Sequence, residues 1–234
     1  MCGRYALGAS KEDLIARFNL APATSVAESG PRYNLAPGQV HPVVVQNGAP
    51  HLAAMRWGLV PAWSKEPSTR YATINARVET LAEKPAYRGP LRRQRCLVPA
   101  TGFYEWQVRP DAAGKAARQA YHMQVLDGDR PGALFAFAGL YDIWHGPDGA
   151  ELATYTIVTT AANPLLRPIH ERMPVILPRA AEARWLDPAV EDPDALLPLL
   201  QPYPADAMVA YPVSAAVNSP AQDGPALIAP VAAV

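Results

Sequence analysis

The spacing of apolar and polar positions along the chain predicts many short strands and few helices. Gly3–Leu7 reads as a first short strand. Ser10-Lys-Glu-Asp13 resembles a capping box, and it opens a helix through about Phe18. A Pro-rich connection leads to Arg32-Tyr-Asn-Leu-Ala-Pro-Gly38. His41–Gln46 and Leu52–Leu59 then form a hairpin, with Asn47-Gly48 as its turn signal. After an irregular segment, Asn75–Lys84 has a helical pattern that stops before Pro85. Strands follow at 95–99, 102–108, 120–126, 133–141 and 152–160, with a hairpin turn at Asp127-Gly128. Helices near 179–186 and 192–201 precede a last strand near 208–213. Strands outnumber helices and the βαβ spacing of a doubly wound sheet is absent. The expectation is an α+β fold in a single domain, 1–234, built on a largely antiparallel, barrel-like β-sheet with a few flanking helices.

Composition narrows this picture. Half of the 234 residues are apolar, enough for a sizeable core in one domain. The 26 prolines are spread along the chain and form no linker. No window approaches the roughly 18 apolar residues of a membrane span, and the N-terminus lacks the apolar stretch of a signal peptide. Two cysteines, Cys2 and Cys96, make no disulfide framework, so a reducing, cytoplasmic setting is expected. Neither they nor the five histidines show metal-ligand spacing. GxGxxG, GxxxxGK[ST] and GxSxG are all absent, which argues against nucleotide cofactors and serine hydrolases. No cofactor and no metal are expected. The net charge of zero hides a polarity: residues 1–109 hold 14 Lys+Arg against 7 Asp+Glu, and residues 110–234 hold the reverse. Eleven of those 14 cations are Arg, which suits bidentate phosphate contacts and suggests a face for a polyanion.

Several residues stand out chemically. Removal of Met1 is favoured before a side chain as small as that of Cys2. It would expose an α-amine of pKa about 7.7–8.0 beside a thiol of about 8.5. A neutral amine attacks an aldehyde to give a Schiff base, and the adjacent sulfur can close on the imine carbon as a five-membered thiazolidine. An internal cysteine cannot do this, because its nitrogen is an amide. The bland alternative is a small residue beside a strand. Glu105 lies in the apolar, aromatic strand Gly102-Phe-Tyr-Glu-Trp106, sharing a face with Phe103 while Tyr104 and Trp106 take the other. Desolvation there would raise its pKa toward that of a general acid or base, unless it is salt-bridged or surface-facing. His170, between Pro168 and Pro174, is a loop-held candidate for proton transfer or a core-capping histidine. Asn75 is either the N-cap of its expected helix or the acceptor that holds a terminal amine. Arg77, in the first turn of that helix, opposes the helix dipole and hints at an anionic neighbour. Trp57 reads as core, and Trp63 as exposed and suited to base stacking.

These stretches together resemble the SRAP (SOS response-associated peptidase) family along essentially the whole chain. The resemblance rests on Met-Cys-Gly-Arg-Tyr at the start, Tyr33-Asn-Leu-Ala-Pro-Gly38, Arg56-Trp-Gly-Leu-Val-Pro-Ala-Trp63 and Ile74-Asn-Ala-Arg-Val-Glu-Thr80. Cys96–Trp106 and Ile169–Leu177 complete it. It implies a DNA-repair protein that shields abasic sites in single-stranded DNA by a thiazolidine cross-link through Cys2. Cys2 would be the nucleophile, Asn75 would position the terminus, Glu105 would be the acid/base, and His170 would meet the opened sugar. Arg4 and Arg77 match phosphate contacts, and Asn34, Pro37, Trp106 and Thr159 match positions lining the site. The resemblance further implies peptidase-type autoproteolysis ahead of the cysteine, although here only Met1 precedes it, and lyase-like activity. Where some bacterial members carry two adjacent aromatics this chain has Trp63-Ser64, so a preference for a single-strand/duplex junction is expected to be weaker or carried elsewhere. The partner would be single-stranded DNA, met by a monomer in the cytoplasm or at the nucleoid. A cysteine peptidase or amidohydrolase using Cys2, and a non-covalent binding module, are the competing classes.

Overall fold

The structure, a computed structural model, describes residues 2–20, 30–67, 73–110 and 116–232. Met1, whose removal the sequence suggests, and most of the Pro-rich connection before Arg32 lie outside the described residues. The strands are β1 (Tyr5–Leu7), β2 (Arg32–Leu35), β3 (Val40–Asn47), β4 (Ala49–Trp57), β5 (Asn75–Arg77), β6 (Arg95–Ala100) and β7 (Gly102–Pro110). They continue with β8 (Ala116–Asp127), β9 (Arg130–Pro131), β10 (Phe135–His145), β11 (Glu151–Ala161), β12 (Arg172–Pro174) and β13 (Met208–Pro212). The helices are α1 (Lys11–Phe18), α2 (Pro85–Arg93), α3 (Arg179–Leu186) and α4 (Pro193–Leu196). None is long and apolar enough to cross a membrane.

Two sheets organise the chain. In the first, β10, β6, β3, β4 and β11 pair in turn, and β11 returns to β10, closing a five-stranded barrel. The second runs β13-β8-β7-β1-β2, with β9 added to β8. Pairing is antiparallel except where β4 and β5 lie parallel to β11. Tyr5 of the second sheet inserts among barrel aromatics, with Trp57 at 5.3 Å and Phe137 at 5.9 Å in edge-to-face geometry. Its hydroxyl meets that of Tyr155 at 2.9 Å, so each buried phenol partners the other. The crossing of β7 and β8 is so tight that a Cβ on Gly102 would lie 2.2 Å from His122 Nε2, which leaves room only for glycine there.

The barrel, the single-domain α+β organisation, the Ser10–Asp13 capping box and the fully buried Trp57 agree with the sequence reading. Other segments do not. Asn75–Lys84 is no helix: Asn75–Arg77 forms strand β5, Val78–Thr80 a single 3-10 turn, and the helix begins at Pro85. Proline lacks the N–H that a first helical residue leaves unbonded, so Pro85 starts α2 where it was expected to stop a helix. Asn75 is therefore not an N-cap and Arg77 is not in a helical first turn. The expected helix at 192–201 shrinks to α4 and a 3-10 turn at Leu197–Leu199, and the short strands β2 and β12 were not anticipated.

Two buried histidines make the fold acid-sensitive. Burial pulls His122 down from 6.5 to about 3, and burial with Arg32 nearby pulls His41 down to about 4. The unfolded chain protonates both near 6.5, so their contribution is intact above that pH and is lost as pH falls toward the folded values. Each slope is about 1.4 kcal/mol per pH unit inside its window. Urea unfolding between pH 6.5 and 5 should show stability falling with pH. His122→Gln should remove roughly half of that slope, and an unchanged slope would contradict the assignment.

Candidate functional site

The register between β1 and β7 brings the N-terminus to Glu105. Tyr5 pairs with Phe103 and Ala6 with Gly102, and the Tyr104 N–H donates to the Arg4 carbonyl at 3.0 Å. Continuing that register sets Gly3 across from Glu105. Cys2 is fully buried, its thiol 3.9 Å from the Arg4 carbonyl oxygen. Burial, reinforced by the nearby Glu105 carboxylate, drives the thiol far above its ordinary value and keeps it protonated. Glu105 is 2% exposed, and burial raises its carboxyl above the usual range while the nearby His170 pulls it partly back. Its strand is covered on both faces, with Phe103 in the main core and Tyr104 in a smaller cluster with Ala6, Ala120, Val213 and Val217.

Strand β11 borders both the strand that carries Asn75 and the strand that follows His170. Its C-terminal half pairs on one edge with β5, Ile157 against Asn75 and Thr159 against Arg77, and on the other with β12, Thr159 against Pro174. Asn75 is buried, and its amide N–H donates to the Ile74 carbonyl at 2.8 Å. Its amide oxygen is also buried and has no partner among the described residues, an acceptor awaiting a donor. Arg77, two residues on, is exposed and Thr159 is fully buried.

His170 sits in the irregular stretch expected between Pro168 and Pro174. Its ring Nδ1 accepts the Arg172 backbone N–H at 3.0 Å. Because a backbone N–H can only donate, the neutral ring carries its proton on Nε2. Gln107, on the same face of β7 as Glu105, donates to the Pro168 carbonyl at 2.6 Å and holds the loop against that strand. The Arg172 guanidinium pairs with both Glu79 oxygens at 2.6 and 3.0 Å and donates to the Thr159 carbonyl at 2.7 Å. Gln107, Glu79 and Arg172 were not singled out in the sequence, since nothing local marks partners so distant along the chain.

The remaining candidates divide. Asn34 is fully buried: its amide donates to the carbonyls of Val217, Ser219 and Gln222, and its oxygen accepts from Arg4 at 2.8 Å. Arg4 also reaches the Val217 carbonyl at 2.9 Å, so both residues tie the C-terminal segment over the start of β1. Trp106 is half-buried, its indole donating to Asn218 at 2.7 Å. Pro37 is exposed, at the turn that Gly38 makes with φ +86°. Trp63 is 67% exposed, but its loop is fastened at the opposite end of β11, where the Thr154 hydroxyl accepts the Val60 N–H. That anchor is five residues from Thr159, about 16 Å along the strand. Glu105 thus lies within electrostatic reach of both Cys2 and His170, Asn75 lies on the strand beside β11, and Trp63 belongs to the loop anchored at Thr154. Among the described residues no three His, Cys, Asp or Glu side chains converge as metal ligands.

A family model described as SOS response associated peptidase (SRAP) matches residues 1–220. The Bacillus subtilis protein named abasic site processing protein YoqW is 45% identical over 229 residues, covering 97% of this chain and 99% of its own. The chicken protein named abasic site processing protein HMCES is 39% identical, covering 86% of this chain and 66% of its own. Among solved structures, a protein from Bacteroides thetaiotaomicron superposes with a TM-score of 0.84 at 28% identity, covering 99% of this chain and all of its own. A phage-related protein from Bordetella bronchiseptica is 32% identical with a TM-score of 0.68, covering 91% of this chain and 94% of its own.

The Asn34 knot yields a stability test. Asn34→Ala leaves three carbonyls and the Arg4 guanidinium short of a partner, which should cost about 2–4 kcal/mol. Limited proteolysis should then cut within residues 214–224, where the parent protein resists. Unchanged stability and unchanged cleavage would show that the knot is dispensable.

Proposed function

The chain belongs to the SOS response associated peptidase family, and on that footing we propose that it processes abasic sites in single-stranded DNA by a covalent thiazolidine cross-link through Cys2. The observation that carries this reading is the buried thiol of Cys2 beside a buried Glu105 with a raised carboxyl; the buried, unpartnered amide oxygen of Asn75 supports it. The names of its Bacillus and vertebrate relatives, abasic site processing proteins, support the same substrate.

The chemistry follows from the groups present. Loss of Met1 frees the Cys2 amine, and Asn75 Oδ1 accepts one of its N–H bonds, leaving the nitrogen lone pair available. Glu105, whose burial favours the protonated form, gives a proton to the ring oxygen as the abasic sugar opens, takes one back from the C1 hydroxyl as the aldehyde forms, and donates again as the carbinolamine loses its hydroxyl as water. The amine has then formed a C=N bond at the former aldehyde carbon, with one water released. The Cys2 sulfur adds to that carbon, the C=N electron pair passes to nitrogen, the thiol proton returns to the Glu105 carboxylate, and the ring closes with no redox change. The His170 Nε2–H donates to an oxygen of the opened sugar. Arg77 and Arg4 serve the phosphates, while Asn34, Pro37, Trp106 and Thr159 shape the approach and the more remote Trp63 stacks on a base. The protein acts as a monomer, in the cytoplasm and at the nucleoid.

A raised thiol pKa disfavours a thiolate hydrolase, whose nucleophile needs the opposite shift. It favours attack by the amine first, with sulfur drawn in by the iminium carbon.

Denaturing gels with single-stranded DNA bearing one abasic site should show a heat-stable shifted band, absent with intact DNA. Cys2→Ala, or an uncleaved N-terminal tag, should abolish it; a heat-stable band that persists in Cys2→Ala would refute the mechanism. Glu105→Gln should slow cross-linking about 10²-fold. Because Glu105 acts as the acid, the rate should fall as pH rises through its raised pKa, and the Gln variant should lose that alkaline limb. Arg77→Ala should weaken binding and lower the salt slope by about one.

A further inference from the structure

We propose that Glu79, acting through Arg172, and Gln107 are positioning residues that hold His170 in one tautomer and one place between the strands carrying Glu105 and Asn75. The inference rests on the cross-linking reading for its kinetic consequence but not for its geometry. Three contacts from three elements converge on five residues. Gln107 reaches out from β7 and fixes the Pro168 carbonyl at 2.6 Å. The Arg172 backbone N–H fixes the ring by donating to Nδ1. The Arg172 side chain fixes its own backbone by gripping the Thr159 carbonyl on β11 and both Glu79 oxygens, just beyond β5.

The pair is buried on the arginine side: the Arg172 side chain is 12% exposed against 51% for Glu79, its Nε is buried without a hydrogen-bond partner among the described residues, and the guanidinium grips the carboxylate in the bidentate geometry that carries orientation. Glu79 is correspondingly held below its usual range, first by the Arg172 hydrogen bonds. Glu79 comes two residues after Arg77 and four after Asn75, so the brace links the chain that presents Asn75 to the chain that presents His170. Gln107 does the same from the Glu105 side, two residues along one strand face. A histidine anchored in this way presents its Nε2–H without reorganising when the sugar opens.

The two braces should fail in a characteristic manner. In Glu79→Gln, which keeps shape and loses charge, and in Gln107→Ala, the cross-linking rate at saturating abasic single-stranded DNA should fall about tenfold. Affinity for the same strand carrying a reduced, unreactive abasic analogue should change less than twofold. Glu79→Asp should recover part of the rate. Combined with His170→Ala, neither variant should slow the reaction further, because each acts through that ring. Nitrogen-15 spectra of the histidine rings should show the Nε2–H tautomer for His170 in the parent protein and a mixture in Glu79→Gln. Additive losses in the His170→Ala background, or an unchanged tautomer in Glu79→Gln, would overturn the proposal. If the parent protein forms no cross-link at all, the proposed function fails, and the ring spectra still decide the brace.

Discussion

The site depends on barrel closure by β11, a strand bonded on both edges for most of its length. Its first half is held between β10 and β4, completing the barrel. Its second half carries β5 on one edge and β12 on the other, and so carries Asn75 and the His170 loop. Buried threonines suit a strand whose neighbours change midway. Thr154 serves the irregular loop after β4, and Thr159 sits beneath the Ala76 carbonyl and the Arg172 guanidinium. β-branched side chains keep the strand extended while their hydroxyls satisfy polar groups that no ladder reaches. Barrel closure and the placement of β5 and β12 therefore depend on the same strand. Glu105 lies on β7 of the second sheet, and Cys2 precedes β1 of that sheet.

The charge asymmetry between the two halves of the sequence takes a different meaning in space. Arg17 pairs with Glu182, Arg32 with Asp223 and Arg93 with Glu191, each joining a cation of the first half to an anion of the second. Arg95 is buried against carbonyls at the ends of α2 and α3, and Arg4 is engaged with Asn34 and Val217. Much of the apparent basic face is thus intramolecular adhesive between distant segments. Arg77, two residues after Asn75, is an exposed guanidinium.

Much of this was legible in sequence because local chemistry and final environment agree. Alternation along Phe103-Tyr-Glu-Trp106 put Glu105 on the core-facing side, and Ser10 and Asp13 cap one another as their spacing suggests. Asn75–Lys84 misled for the opposite reason. Its residues suit a helix, but pairing with β11 claims the first three, and a partner about 80 residues away leaves no trace in a local window. The same distance hid Glu79, Arg172 and Gln107, whose significance lies in whom they meet.

The sealed position of Cys2 also bears on survival between encounters. Peroxide and alkylating metabolites react with thiolates, and a thiol buried beside a carboxylate offers almost none of that form. In the cross-linking reading proposed above, a sulfur spent once gains from being inert toward everything except a neighbouring iminium carbon. Burial that would cripple an ordinary cysteine nucleophile keeps this thiol protonated and so in its reduced form.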